Sequence, residues 1–282
     1  MDQFSVVDES FDSQLSSSYY LSIRIAPDGF SFCVLDPIYN RFILFKEGRF
    51  KKIDGHWQQT IALLRNEPLF LLGFKRKTIV IENDPIALVP NALYRPENAG
   101  ELIDGTYAVD RTGMHILENP MRMVDAVNLF MVPDTLHGVI RDLFPDVRML
   151  HHVTPLLEAT MLDDYSSPER HFVHLYFRHG VFDVLVMGQR DLKLINRFSF
   201  SDDNEVVYYL LFVFEQLKLQ PGKTDVIVAG DIDLLAARFL LLKSYFKTVK
   251  MAVLPSHFQV ADALLSVSLG RHLLLFNSFL CV

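Results

Sequence analysis

Cysteine is scarce in this sequence: Cys33 and Cys281 are the only two in 282 residues. That excludes a disulfide-stapled scaffold. Both lie in apolar, strand-like runs, so they read as buried free thiols, which fits a reducing cytoplasm. Positive charge is in deficit, with 27 Lys and Arg against 34 Asp and Glu, for a net charge of −7. Such a balance argues against binding along a nucleic-acid backbone. Long hydrophobic runs are missing too. The mean hydropathy of +0.20 prompts a search for a membrane span, but no apolar run reaches the ~20 residues a spanning helix needs. The greasiest stretch, 206–214, is bounded by Glu205 and Glu215, and the run 272–282 is too short. Residues 1–18 have neither the basic nor the apolar region of a signal peptide, and their acidic, Ser-rich composition reads as a mobile tail. No Gly-x-Ser-x-Gly elbow occurs, and neither cysteine has a base nearby in sequence.

What is present is core-forming material. Hydrophobic residues make up 50% and charged residues 22%, with 23 Phe and 10 Tyr, so a strand-rich globular chain is expected. The pattern reads as one unit twice. Strands are expected at 19–25, 30–35 and 42–45, separated by the turns Pro27-Asp28-Gly29 and 36–40. A helix opening at Asp54 carries Trp57, Ile61 and Leu64 on one face, and a β-branched strand follows at 78–81. The second half repeats the order. Strands are expected at 172–177, 181–187 and 192–200, with His179-Gly180 in the first turn. A helix capped by Ser201 runs to about Leu217, Pro221-Gly222 stops it, and a buried strand follows at 225–229. Gly29 and Gly180 are about 150 residues apart, as are the helix starts. The next shared pair is a helix at 133–144 with a strand at 147–151, matched by a helix capped by Asp231 and a strand at 249–254. There the offset falls to about 100, so the first half carries roughly 50 extra residues. They make an α/β insertion at about 83–132. A helix opens at Thr154-Pro155, and Asp164 to Pro168 links the halves. The boundaries are therefore 1–18 for the tail, 19–165 for the first domain and 166–282 for the second.

Three antiparallel strands followed by helix, strand, helix, strand make a mixed sheet flanked by helices. Two such α/β units with a cleft between them resemble the actin-like ATPase superfamily, which duplicates a ribonuclease-H-like domain. More narrowly, the chain resembles an uncharacterised bacterial family of that fold, through Phe198-Ser199-Phe200, the run 207–217 and Val226-Ile227-Val228-Ala229-Gly230-Asp231. The resemblance covers nearly the whole chain after residue 18. It implies an Asp-x-Gly in each first hairpin, whose backbone wraps the phosphates while its acid holds Mg²⁺ or its waters. Aligned on the turn glycines Gly29 and Gly180, the acid positions hold Pro27 and Arg178. Asp28 is one place off, and Ser31 lies near the expected hydroxyl. The adenosine Gly-Gly is reduced to Ala229-Gly230-Asp231.

The remaining signals have ordinary explanations. Gly222-Lys223-Thr224 echoes a P-loop ending but precedes a strand, so it reads as a turn. His151, His152, His171 and His174 cluster in sequence without the convergence a metal needs. Lys46, Arg49, Lys51, Lys52 and Lys75, Arg76, Lys77 read as solvated faces, with no stacking platform beside them. The pairs Asp163-Asp164, Asp202-Asp203 and Asp231-Asp233 sit at helix ends, where capping accounts for them.

The expectation is a non-catalytic binding or scaffold protein. Its partner is another protein, in keeping with superfamily members in pilus and secretion assemblies. Neither a metal nor any other cofactor is expected, and no nucleic acid or membrane span. The alternative is a divergent ATPase or sugar-kinase-like phosphotransferase using ATP and magnesium, with Asp28, Gly29, Ser31, Gly180, Gly230 and Asp231 lining the nucleotide. A homodimer through exposed strand edges is a third possibility.

Overall fold

The computed structural model describes residues 2–50, 55–121, 124–166, 170–189 and 191–281. The expected helix start at Asp54, and Lys51 and Lys52, lie outside the described residues, as do the side chains of Asp163 and Asp164. The chain divides into two compact units.

The first unit contains β1 (Asp2–Val7), β2 (Tyr20–Ala26), β3 (Gly29–Asp36), β4 (Arg41–Arg49), α1 (His56–Asn66) and β5 (Arg76–Ile81). The insertion supplies β6 (Ile86–Pro90), α2 (Ala99–Thr106), β7 (Met114–Met121) and β8 (Ala126–Pro133). The unit continues with α3 (Asp134–Leu143) and β9 (Arg148–His151), and the dividing line falls inside α4 (Val153–Ser166). Its main sheet runs β1-β4-β3-β2-β5-β9, with β5 and β9 parallel to β2 and the hairpin strands antiparallel. Alternation along β2 sends Leu21, Ile23 and Ile25 into the core beneath α1 and α3, with Ile79, Ile81, Leu136 and Ile140. The expected helical face forms: Leu64 is buried, and Trp57 and Ile61 pack against the same cluster.

The second unit holds β10 (His171–Arg178), β11 (Val181–Gly188), β12 (Asp191–Ser199), α5 (Asp203–Gln216), β13 (Thr224–Gly230), α6 (Ala237–Tyr245) and β14 (Thr248–Met251). Its sheet, β12-β11-β10-β13-β14, repeats the order of β4-β3-β2-β5-β9. The expected duplication is thus the observed topology. Asp202 caps α5, its carboxylate accepting from the Asn204 and Glu205 N–H groups at 2.7 and 3.1 Å. The expected cap was its neighbour Ser201. Residues 220–224 form the turn expected of Gly222-Lys223-Thr224, with the Lys223 N–H donating to the Gln220 carbonyl at 2.9 Å.

Three expectations need correction. Residues 2–18 of the expected tail are not mobile, since β1 pairs antiparallel with β4 from Asp2↔Arg49 to Val7↔Leu44. Most of its side chains are exposed, so backbone pairing holds it, and that leaves no apolar signature. Asp8 fastens the strand end. Hydrogen bonds from Ser10, joined by the Arg41 guanidinium at 3.1 Å, hold its carboxyl below the usual carboxylate range.

Second, residues 255–267 and 274–282 belong with the first unit, not the second. They include β15 (Gln259–Val260), parallel to β4 at Arg41 and Phe42, and most of α7 (Leu273–Asn277). The cause is the sheet's other face. Phe42 is fully buried there, with the rings of Phe276, Phe258 and Phe279 at 4.6, 5.4 and 5.7 Å, and ring burial of this size contributes about 1.5–3 kcal/mol per side chain.

Third, Asp231 caps no helix, because α6 starts only at Ala237. The insertion forms its own sheet, β6-β8-β7, with α2 burying Ala99 and Ile103 against Val89, Val127 and Leu129.

Candidate functional site

The two first hairpins are superimposable in register. The last pair of β2 and β3 is Ala26↔Gly29, and that of β10 and β11 is Arg178↔Val181. Asp28 and Gly180 are therefore counterparts, and the Phe50 and Phe200 N–H groups donate to their carbonyls at 2.9 and 3.0 Å. The hairpin register thus pairs Arg178 with Ala26, where alignment on the glycines gave Pro27. Under either alignment the first unit has no acid at that position.

Each predicted residue has a definite place. Asp28 is half-exposed in the turn, 3.8 Å from the Arg24 guanidinium. Gly29 lies so close to β4 that a Cβ would sit 2.3 Å from the Gly48 carbonyl oxygen. Ser31 is buried within β3, and its Oγ has no hydrogen-bond partner among the described residues. Gly180 takes φ +69° in open space, the left-handed conformation a tight hairpin needs. Gly230 takes φ +85°, and a Cβ there would lie 2.1 Å from the Phe177 carbonyl oxygen. Its N–H donates to the Gly270 carbonyl at 3.0 Å. Asp231 is ion-paired to Arg271 at 3.0 Å.

Within the first unit, Asp28 converges on a pair the sequence reading missed. Glu82 follows β5 and is almost wholly buried, and Arg24 grips it through two bonds of 2.6 and 2.7 Å. Glu82 and Asp231 are counterparts, because their N–H groups donate to Ile25 and Phe177 at the same 2.8 Å. Parallel strands of α/β sheets offer ligands their carboxyl ends. Here both ends carry an acid already paired to an arginine.

The second unit has a further charged cluster on β10–β12. Asp183 is buried and receives Arg178 Nε at 3.0 Å and Arg197 Nε at 2.8 Å. Two guanidiniums thus meet on one carboxylate, and Arg178 stands at the position where the resemblance leads one to expect an acid. The signal for Arg24, Glu82 and Asp183 was a charged residue inside or directly after an apolar strand, a placement that demands a partner.

The other candidates are accounted for. His151 bonds the Asn83 carbonyl through Nε2 at 3.0 Å, and its ring lies 4.1 Å from that of His152, tilted by 44°. No group of three or more His, Cys, Asp or Glu could hold a metal among the described residues. Lys46 pairs with Glu67 at 2.6 Å, beside a 350 Å³ cavity lined by Gln3, Gln59 and Asn66. Cys33 and Cys281 are buried and form no disulfide. Among the described residues no helix is long and apolar enough to cross a membrane.

Comparisons with known proteins agree with this architecture. A Bacteroides thetaiotaomicron protein "with actin-like ATPase fold and unknown function" superimposes with a TM-score of 0.77 at 21% identity, over 86% of this chain and 93% of that one. A chain of the PilM-PilN type IV pilus biogenesis complex superimposes with a TM-score of 0.57 at 11% identity, over 93% and 97%. No curated protein matches. The fold is therefore that of the actin-like ATPases. The family model described as "Protein of unknown function (DUF3822)" matches residues 8–249, and the chain belongs to that family.

Proposed function

We propose that the chain is a non-catalytic binding protein built on the actin-like ATPase fold, with another protein as its partner. The observation that carries this is the Arg178–Asp183–Arg197 cluster. A divalent cation is held by oxygen ligands and repelled by a cation, and here the hairpin presents a guanidinium held by a buried acid. In the first unit, both Glu82 oxygens are taken by Arg24. Asp28, the acid of the first hairpin, also lies 3.8 Å from the Arg24 guanidinium, so in each hairpin the nearest acid has an arginine where a cation would sit. The pilus complex supports a partner role by analogy of fold alone. A cytoplasmic location belongs to the same reading, supported by two buried cysteines that form no disulfide.

The partner surface proposed is the insertion, where Leu93 and Tyr107 are exposed. Calorimetry with ATP, with and without Mg²⁺, tests the non-catalytic part. No heat at millimolar nucleotide is the expected result. Binding that strengthens with Mg²⁺ would overturn it in favour of the phosphotransferase alternative, with Asp28 the first residue to mutate. The partner part predicts a stoichiometric complex that is lost in Leu93→Asp/Tyr107→Asp, and unchanged pull-down partners would count against it.

A further inference from the structure

We infer that the open edge of β12 is a self-association surface, where a second copy of this chain adds its own β12 antiparallel about a two-fold axis at Asn196. The duplicated fold shows what such an edge takes. β4 and β12 are counterparts of equal length, joined to β3 and β11 from Gly29↔Arg49 and Val181↔Ser199, with a register shift at the same place in each. β4 carries β1 on its outer side, antiparallel from Asp2↔Arg49 to Val7↔Leu44, whereas β12 ends its sheet among the described residues. The difference shows in burial. Leu44, opposite Val7, is 1% exposed. No residue of β12 is buried, and its counterpart Leu194 is only half-buried, like Ile195 and Phe198. The register shift and the charges of β12 do not close the edge. β4 has the same shift, with Arg41, Lys46, Glu47 and Arg49, and is paired.

One bond fixes the backbone direction. The Phe200 N–H donates to the Gly180 carbonyl at 3.0 Å. Alternation then turns the backbone groups of Phe198, Asn196 and Leu194 toward β11 and those of Ser199, Arg197 and Ile195 outward. The Arg197 N–H donates to the side-chain oxygen of the adjacent Asn196 at 2.8 Å, a local acceptor in place of a strand. The order of residues in β12 makes a second copy the occupant. Paired about Asn196, Ile195 exchanges backbone bonds with the partner's Arg197, and Arg197 with the partner's Ile195. On the core side, where Leu194 and Phe198 pack, Leu194 lies opposite the partner's Phe198, an apolar cross-strand pair made twice. Lys193 meets the partner's Ser199, and each Arg197 keeps its own Asp183 at 2.8 Å, so no like charges stand opposite each other. Asn196 meets its own copy on the axis, where its amide, released from the Arg197 N–H, bonds across. The contact is isologous, closes after two copies, and joins the two five-stranded sheets into one.

The test is the molecular mass of the full chain by sedimentation equilibrium over a concentration series. It is expected to rise from 32.4 kDa toward twice that value. Ile195→Pro removes an outward N–H and no bond to β11, a position where an edge strand accepts proline. It is expected to hold the mass at the monomer with unchanged circular dichroism. Asn196→Cys gives a second readout. Residues opposite each other at such a non-hydrogen-bonded position have Cα atoms about 4.5 Å apart, within reach of a disulfide. Mild oxidation should yield a covalent dimer for Asn196→Cys and none for Ser199→Cys, three residues from the axis, since the native cysteines are buried. If Ile195→Pro alters the circular dichroism, the cross-link decides alone. A wild-type mass that stays monomeric at every concentration overturns the proposal. So does a dimer that survives a folded Ile195→Pro, or one that Asn196→Cys fails to cross-link. None of these outcomes depends on the nucleotide calorimetry or on Leu93→Asp/Tyr107→Asp, so the readings fail separately.

Discussion

The same three cross-strand positions carry different chemistry in the two units. In the first, the row across β2, β3 and β4 reads Arg24, Ser31, Glu47, and in the second the row across β10, β11 and β12 reads Tyr176, Asp183, Arg197. Arg24 reaches sideways to Glu82 beyond β5, whereas Asp183 collects Arg178 and Arg197 from its own hairpin strands. Backbone register survives duplication because shifting it by one residue would turn every core side chain outward. Polar residues are constrained only to find partners, and each unit has found its own.

Copying the first unit into the second should break the comparison most severely at Asp183. Asp183→Ser installs the counterpart residue and takes from Arg178 and Arg197 the acid they share, and loss of one partner from a buried ionic cluster costs about 3–5 kcal/mol. Urea unfolding should show it, and a loss below 1 kcal/mol would mean that solvent already serves those guanidiniums. Gly230 comes next. Its counterpart by β-ladder register is Ile81, yet Gly230→Ala should cost roughly 3 kcal/mol, from the left-handed backbone and the collision with Phe177. Gly180→Ala shares the positive φ without the collision and should lose less than half as much.

A smaller effect is confined to the first unit. The Asn119 side chain caps the open edge of β9, its amide donating to the Met149 carbonyl at 2.9 Å and its oxygen accepting the His151 N–H at 2.7 Å. Asn119→Ala leaves both groups unbonded in a buried setting, for about 1–3 kcal/mol. A wild-type melting temperature in that variant would show that the insertion is not anchored there.

The last contrast is a pH slope, which leaves stability at neutral pH untouched. His174 stands where the first unit has Ser22, and burial pushes its pKa down to about 3. The unfolded imidazole takes a proton near 6.5, so stability is undiminished above that pH and falls as pH drops from 6.5 toward 3. His174→Ser should flatten this part of the stability profile, and an unchanged slope would assign it to other groups.

Much of this fold was legible because apolar periodicity and turn chemistry were repeated. Leu21, Ile23 and Ile25 alternate as a half-buried strand must, and Trp57, Ile61 and Leu64 recur at helical spacing. β1 and the return of 255–281 to the first sheet were illegible for a physical reason. β1 is held by main-chain bonds, and the Phe276 and Phe279 contacts with Phe42 join residues far apart in the chain. The candidate site was half legible. The positions of Gly29 and Gly180 were evident from turn chemistry and that of Gly230 only through the resemblance, whereas Arg24 with Glu82, and Asp183 with its arginines, are pairings across strands that spacing does not encode.

The closure of the β4 edge has a temporal consequence. β1 and β15 share that edge, one pairing along 44–49 and the other at 41–42. On the ribosome, residues 2–7 emerge before the rest of their sheet, and 259–260 only after all five strands of the second sheet. The second unit's sheet can therefore be complete in the nascent chain while the first still waits for its last strand and for the Phe276 and Phe279 rings. The unit that begins first in synthesis finishes last, and a chaperone acting on this chain would find its exposed apolar surface on the older half.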